Sequence, residues 1–395
     1  MKILWVKSDF LHPTTRGGQI RTLEMLRRIS TRHRIHYVAF SGENEVETIK
    51  RSSEYCERAF PVHHKVPKHG TLPFYWQVAQ GWASRLPVAV SRYRSTRMAQ
   101  LIAELRASES YDAVVCDFVA PAPNFSDFSD CILFQHNVET MIWRRHAETA
   151  RDPLRRRYFQ LQAKRMFNYE QMVCRAARKV IAVSPGDART MENMFGIKDV
   201  SYVATGVDIE YFTPPDAPPP GTDMIFIGSM DWLPNADGVR YFVDNILPLI
   251  RQVRPQARLA VVGREPSSEI RDLARSDPGI IVTGTVPDVR PHLWDSAVSV
   301  VPLRIGGGTR LKIYESMAAR VPVVSTSIGA EGLSIHPPRD IRIADTSQQF
   351  AQECLELLES ADARRSQADA GWQLVRDRFS WDQIALDFES MLAAT

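Results

Sequence analysis

Short apolar runs alternate with amphipathic stretches along most of this chain. Ile3–Val6, Ile35–Phe40, Ala113–Cys116, Cys131–Phe134 and Val180–Val183 are predominantly apolar and rich in β-branched residues, which predicts strands buried on both faces. Between them the period lengthens. In Ile20–Ile29, for example, Leu23, Leu26 and Ile29 fall on one face of a helix. After residue 220 the alternation restarts with Met224–Ile227, Arg258–Val262, Ile280–Val282, Val298–Val301 and Val321–Val324. Strand–helix–strand order with doubly buried strands predicts parallel sheets covered on both sides, and two such series predict two doubly wound α/β domains.

The stretch GVDIEYFTPPDAPPPGTD separates the two series. Five of the residues from Thr213 to Pro220 are proline, which excludes helix and central strand, so the segment reads as a linker. The predicted organisation is residues 1–205 as a first domain, 206–222 as linker, 223–378 as a second domain and 379–395 as a terminal helix. The second series closes with helical patterns over Gln348–Leu358, Ala361–Phe379 and Trp381–Leu392.

Composition narrows the function classes. A chain of 395 residues, 44% hydrophobic and 24% charged, forms globular cores and exceeds one ordinary domain. Its net charge of +3 does not suggest nucleic-acid binding. Five scattered cysteines without a CxxC or Cys/His cluster argue for reduced thiols, a cytosolic setting and no structural zinc. The first residues, MKILWVKSDF, hold too few apolar positions for a signal peptide, and no run approaches a membrane span. Charge is uneven, however: eleven Lys/Arg against three acids lie between Arg144 and Lys179. Together with the aromatic-rich LPFYWQVAQGW upstream, this basic stretch suggests peripheral contact with an anionic membrane surface, or a solvated helix beside a core aromatic cluster.

The candidate chemistry lies in RIGGGTRLKIYESMAARVPVVST, residues 304–326. Val298–Val301 is a strand, Gly306–Gly308 a loop, and Thr309 begins a helix running to about Ala319. Ligands of open α/β sheets bind where such loops lead into helix N-termini, and glycines let a phosphate approach the free N–H groups. Arg310 and Lys312 add positive charge there. Leu311, Tyr314 and Ala318 share a core-facing spacing, which leaves Lys312 and Glu315 as i, i+3 neighbours on another face. Glu315 is placed to accept hydrogen bonds from paired ribose hydroxyls. A P-loop would need Gly-Lys-Ser/Thr, which is absent, and the dinucleotide fingerprint is missing too. The first strand–helix junction has only the Gly17-Gly18 pair, another place where an anion can be met.

These stretches together resemble the GT-B fold glycosyltransferases of family 4, which are retaining and use nucleotide-sugar donors. The resemblance covers essentially the whole chain. It is carried by Gly17-Gly18, FQHNVE (134–139), VSPGDARTM (183–191), ATGVDIEYFTP (204–214), FIGSMDWLPNADG (226–238) and KIYESMAARVPVVST (312–326). The combination of Gly-Ser-Met, Pro-Asn and Gly-Gly-Gly-Thr-Arg-Leu-Lys resembles sugar transferases associated with bacterial exopolysaccharide loci.

The resemblance implies two Rossmann-like domains facing a cleft, the first binding acceptor and the second the donor, with the last helix crossing back onto the first. Position by position it implies that Glu315 holds the nucleotide ribose and that His136 hydrogen-bonds the donor sugar. Gly17, Gly18, Gly307, Gly308, Thr309, Arg310 and Lys312 surround the donor, with His136, Arg310 and Lys312 as the catalytic groups. Four positions depart from the family. Gly307 stands where a sugar-binding glutamate is usual. Ser229 and Pro234/Asn235 stand where the family has an arginine and a lysine, so that Arg310 and Lys312 become the replacement cations. Arg320 replaces a glycine before Pro-Val-Val. Glu139 either contacts the acceptor or closes the cleft, or is a first-turn acid favouring the helix dipole, and Asp208 caps a turn. No metal or other cofactor is expected beyond the nucleotide-sugar co-substrate. The expected partners are that donor, a glycan or lipid-linked acceptor and an anionic membrane surface, with no nucleic acid. The alternatives are a nucleotide-sugar epimerase of the same fold and a subunit that binds the nucleotide sugar without turnover.

Overall fold

The computed structural model of the chain describes all residues other than 15–16, 43–44, 65, 67–70, 73–75, 77–78, 80–83, 151, 216–220, 306–310 and 394–395, and all side chains among them except those of 149 and 222. The triple glycine with Thr309 and Arg310, most of the aromatic segment and the middle of the proline-rich connector therefore lie outside the described residues.

The chain divides into two compact units, Met1–Ala204 with Ile384–Thr395, and Thr205–Gln383. In the first, β1 (Lys2–Val6), β2 (Arg34–Ser41), β3 (Arg58–His63), β4 (Ala113–Asp117), β5 (Cys131–Phe134), β6 (Lys179–Ala182) and β7 (Ser201–Tyr202) form one parallel sheet ordered β3-β2-β1-β4-β5-β6-β7. The second holds β8 (Thr222–Ile227), β9 (Leu259–Val262), β10 (Ile280–Gly284), β11 (Ser296–Val301), β12 (Val323–Ser325) and β13 (Arg342–Ile343), parallel and ordered β10-β9-β8-β11-β12-β13. Both are doubly wound sheets. The strand order reverses between β1 and β4 in one and between β8 and β11 in the other, and these are the points where open α/β sheets bind ligands.

The apolar pattern locates the central strands and one edge, β10, but not the other three edges. β3 carries Pro61 and is mostly exposed or half-buried, and β7 and β13 span only two residues each, too short to make an apolar run. In the first unit, Phe388 of the final helix Trp381–Ala393 is fully buried, with its ring 5.6 Å from Trp5 and 5.1 Å from Phe134. In the second, Tyr314 stacks on Phe379 at 4.4 Å and Phe242 meets Phe350 edge-on at 6.0 Å. All five cysteines are buried thiols.

Candidate functional site

Two groups of polar side chains gather at the carboxyl ends of the sheets, one in each unit. In the second unit, β8 runs into Gly228 and Ser229, and the helix Leu311–Ala318 follows β11. Ile313, Tyr314, Ser316, Met317 and Ala318 of this helix are buried, while Leu311 is only half-buried. The Ser316 hydroxyl contacts the Ser299 hydroxyl of β11 at 2.8 Å and the Lys312 carbonyl at 2.8 Å, which locks the helix onto the strand.

The lock fixes where Lys312 reaches. Its ammonium donates to Asn235 Oδ1 at 2.8 Å and lies 4.3 Å from the centre of the Phe226 ring. Asn235 is 3% exposed, and its Nδ2 donates to the Ser229 carbonyl at 2.8 Å, so both ends of its amide are held. A Cβ on Gly228 would lie 2.8 Å from Lys312 Nζ and 2.6 Å from Asn235 Nδ2, and a Cβ on Gly263 would lie 1.7 Å from the Gly228 carbonyl oxygen. Only glycines admit this approach. The cation missing at Ser229 and Pro234/Asn235 is thus delivered to Asn235 from a different helix. Arg264 brings a second positive charge, donating to Ser229 Oγ at 2.7 Å and pairing with Asp231 at 3.7 Å.

Glu315 lies one turn beyond Lys312 and is half-buried. Burial pushes its carboxyl up to about 7, against the opposing pull of Lys312. After this helix, Arg320 occupies the left-handed region at φ 55°, the conformation a glycine adopts without strain. Its guanidinium lies 4.0 Å from the Trp372 ring centre and pairs with Asp369, contacts no glycine makes. Gly307, Gly308, Thr309 and Arg310 lie outside the described residues.

In the first unit the centre is Asp117, the last residue of β4 and fully buried. Its Oδ1 accepts from His136 Nε2 at 2.6 Å and from Lys7 Nζ at 2.9 Å; its Oδ2 accepts from Thr22 Oγ1 at 2.7 Å and Trp5 Nε1 at 3.0 Å. Burial opposes its charge, but Lys7 and His136 outweigh that and hold the carboxyl well below the usual carboxylate range. Immediately afterwards Phe118 sits at φ 84°, and its N–H donates to the Phe134 carbonyl at 2.7 Å. Such a backbone costs on the order of 1–3 kcal/mol for a bulky residue and here turns the chain beside the site.

Burial pushes His136 down to about 4, with Asp117 opposing and Lys7 and Arg21 adding to the fall. Near neutral pH the ring is uncharged. An ionised Asp117 can only accept, so the proton is on Nε2 and Nδ1 is an acceptor. A Cβ on Gly18 would lie 3.3 Å from that Nδ1. The structure therefore brings Gly18 and His136 together, and Gly17 and Gly18 open the helix Gly17–Ile29.

Glu139 opens the helix Glu139–Thr149, but it is not the acid that satisfies that terminus. The fully buried Glu170 does so, accepting from the Glu139 and Thr140 N–H groups at 3.0 and 2.9 Å, from Thr140 Oγ1 at 2.6 Å and from Gln135 Nε2 at 2.9 Å. Glu139 stands in the first turn of that helix, and burial and the adjacent Glu170 push its carboxyl up to about 7. Asp208 Oδ1 accepts from the Tyr211 N–H at 2.9 Å, capping a short helix. In the aromatic segment, Leu72 and Trp76 are 86% and 66% exposed, so neither belongs to a core cluster.

Asp117, Lys7, Arg21 and Glu170 are absent from the sequence reading. Lys7 and Asp117 each directly follow an apolar run, WV and AVVC, where a charge at a strand's carboxyl end marks the ligand side of the sheet. Nothing local marks Glu170, whose partners are about thirty residues away. Among the described residues, no three or more His, Cys, Asp or Glu gather as metal ligands, and no helix is long and apolar enough to cross a membrane.

Residues 221–360 match the family described as group 1 glycosyl transferases. Over 97% of both chains, the sequence is 19% identical to a 44.6 kDa protein in the cps region of Klebsiella pneumoniae. Sucrose-phosphate synthase from Thermosynechococcus elongatus superposes with a TM-score of 0.70 at 15% identity, covering 100% of each chain. A glycosyltransferase from Rickettsia africae superposes at 0.68 with 15% identity over 100% of this chain and 98% of its own. HepE from Anabaena, solved with UDP and glucose, superposes at 0.66 with 12% identity over 100% of each.

Proposed function

We propose, from the premise that this chain has the GT-B fold and carries a group 1 glycosyl transferase domain over residues 221–360, that it moves a sugar with retention from a nucleoside-diphosphate donor to a glycan or lipid-linked acceptor in polysaccharide synthesis. The observation that carries the reading is the Lys312 ammonium fixed on Asn235 at 2.8 Å, with Glu315 one turn further along the same helix. The nucleotide bound by HepE and the cps setting of the Klebsiella relative support it.

Departure of a nucleoside diphosphate from an anomeric carbon builds negative charge on the phosphate and positive charge on the sugar. A cation held in place before the reaction stabilises the first without reorganising. Lys312 meets that requirement, and Arg310, two residues earlier in the sequence, is assigned the same role. Glu315 accepts the ribose hydroxyls, and Gly307, Gly308 and Thr309 are assigned to the phosphates on their sequence pattern. In the first unit, Gly17, Gly18 and His136 are assigned to the donor, the neutral His136 accepting from a sugar hydroxyl through Nδ1. With its basicity depressed by burial, it is a poor general base. Charge stabilisation in this scheme comes from the protein's own groups.

The acceptor side includes a basic surface suited to an anionic membrane. Arg144, Arg156 and Lys164 line a cavity of about 660 Å³ with Phe167, and Leu154 and Met172 of the helix Pro153–Ala176 are 66% and 57% exposed. This matches a cytoplasmic enzyme working at the inner face of the membrane; sedimentation with phosphatidylglycerol vesicles but not phosphatidylcholine vesicles tests it. For the main reading, the protein is incubated with UDP-, GDP-, ADP- and TDP-sugars. One of them releases nucleoside diphosphate, and release falls in Glu315→Ala. A sugar epimer in place of the free nucleotide, or no product with any donor, overturns the reading.

A further inference from the structure

In the second unit the parallel pairing of β8 and β9 continues past both strand ends. The Gly228 N–H donates to the Val262 carbonyl at 3.0 Å and the Met230 N–H to the Arg264 carbonyl at 2.9 Å. Ser229 and Arg264 are thereby set side by side at the carboxyl edge of the sheet. Glu265 follows at φ 53°, where the chain turns away. Arg264 Nε donates to Ser229 Oγ at 2.7 Å, and the Ser229 hydroxyl donates in turn to Asp231 Oδ1. Arg264 Nη2 lies 3.7 Å from Asp231 Oδ2, an ion pair too long for a hydrogen bond. Among the described residues, both terminal nitrogens of the guanidinium are therefore without a hydrogen bond.

Ser229 also connects this arginine to Lys312. Its carbonyl accepts from Asn235 Nδ2, and Asn235 Oδ1 accepts from the Lys312 ammonium. The resemblance places cations at Ser229 and at Pro234/Asn235, where this chain has none. Each place has received one from elsewhere: Arg264 on Ser229 and Lys312 on Asn235. Two cations joined through one residue, one of them with its fork open, suit a group bearing two phosphates. Asp231 does not fill that fork, since an exposed ion pair at this length is worth little.

We propose that Arg264, together with Lys312, holds the diphosphate of the nucleotide-sugar donor, and that Asp231 occupies the guanidinium until the diphosphate replaces it. Assignment to the donor rests on the transferase reading; the exchange of carboxylate for diphosphate stands on the contacts. Ser229 is the positioning residue, engaging Nε and leaving the terminal nitrogens to the ligand. The two members of the Arg264–Asp231 pair then act on binding in opposite directions. Neutralising Arg264 removes a partner of the phosphates. Neutralising Asp231 removes a competitor for the guanidinium and a like charge beside the phosphates. A pair that only tied the two loops together would respond to both changes in the same direction.

The test titrates the full-length protein with inorganic pyrophosphate by calorimetry, a probe that is independent of the nucleotide base. Wild type binds it, Arg264→Gln binds about tenfold more weakly, and Asp231→Asn binds about threefold more tightly. Both residues are exposed, so neither change disturbs the core. A saturating nucleoside diphosphate, with the base selected in the donor assay, displaces the pyrophosphate. No binding by wild type, or equal affinity in wild type and Arg264→Gln, overturns the proposal. An Asp231→Asn affinity at or below that of wild type overturns it equally. Pyrophosphate that stays bound beside the nucleoside diphosphate overturns the assignment to the donor. Failure of the transferase reading looks different: no donor releases nucleoside diphosphate, while pyrophosphate affinity still falls in Arg264→Gln and rises in Asp231→Asn.

Discussion

Lys312 and Asn235 sit on separate helices of the second unit, yet the lysine ammonium lies 2.8 Å from the asparagine Oδ1. Asn235 cannot carry charge itself; it orients a charge borrowed from a residue seventy-seven positions later in the chain. Removing one preorganised group that stabilises a developing anion costs on the order of 10²–10³ in turnover. Lys312→Met is expected to lose that much, with nucleoside diphosphate release as the measurement. Asn235→Ala leaves the cation present but free to swing, so its loss is smaller. Equal losses would assign Asn235 a role of its own.

Gly228→Ala tests the same arrangement from the backbone side. The added methyl would stand 2.8 Å from Lys312 Nζ and 2.6 Å from Asn235 Nδ2, closer than real contacts allow. All the contacts are to side chains, so the backbone is retained while the Asn235 amide and the ammonium it holds leave their places. Circular dichroism is expected to match wild type, with turnover reduced toward the Lys312→Met level. Wild-type turnover would show that the ammonium works from another position.

The sequence announces this site unevenly, for physical reasons. Central strands such as β1, β4 and β11 are legible because burial on both faces demands continuous apolar runs. Lys312 and Glu315 are legible because helical spacing sets them off the core face. The partnership of Lys312 with Asn235 is not, since it depends on how two helices converge over Gly228. Asp117 escapes because a strand read by hydrophobicity ends at Cys116, one residue before the group that organises His136. Glu170 escapes because it acts on a helix terminus formed by a distant segment. The departures at Ser229 and Asn235 are visible as missing charge and point to Lys312 as a replacement, and the fold adds the 2.8 Å contact that fixes its ammonium on Asn235.

Asp117 holds four polar partners at once, so its loss is structural before it is catalytic. Asp117→Ala strands Lys7, which is 5% exposed, without its 2.9 Å partner. Breaking a buried pair by removing one member costs about 3–5 kcal/mol. Urea unfolding is expected to show a lower midpoint of that order. A change under about 1 kcal/mol would mean that water solvates Lys7 in the variant.

His136 contributes a pH dependence of known sign. Its basicity falls from the ordinary 6.5 to about 4 on folding, so the unfolded chain takes up the proton first as pH drops. The contribution is intact above pH 6.5 and declines as pH falls from 6.5 toward 4. His136→Gln removes that part of the slope in unfolding experiments at pH 5 and pH 7. An identical slope in both proteins would place the titration elsewhere.

Glu315 runs the other way, and its titration ties to ligand binding. Its carboxyl rises from 4.5 to about 7 in the folded protein, so its stabilising contribution is fully present below 4.5 and lost as pH rises through 7. Ribose hydroxyls donate to the ionised form, so a bound nucleotide sugar lowers the pKa of Glu315 and expels its proton. UDP-glucose is the suitable probe, because its diphosphate does not titrate in this range. Affinity is expected to rise between pH 6 and pH 8, by up to about tenfold per pH unit below the pKa of free Glu315. Calorimetry in buffers of different ionisation enthalpy should register net proton release near pH 7. Glu315→Gln is expected to abolish both effects while keeping the side-chain volume. Proton release that survives in Glu315→Gln would reassign the titrating group and detach Glu315 from the ribose.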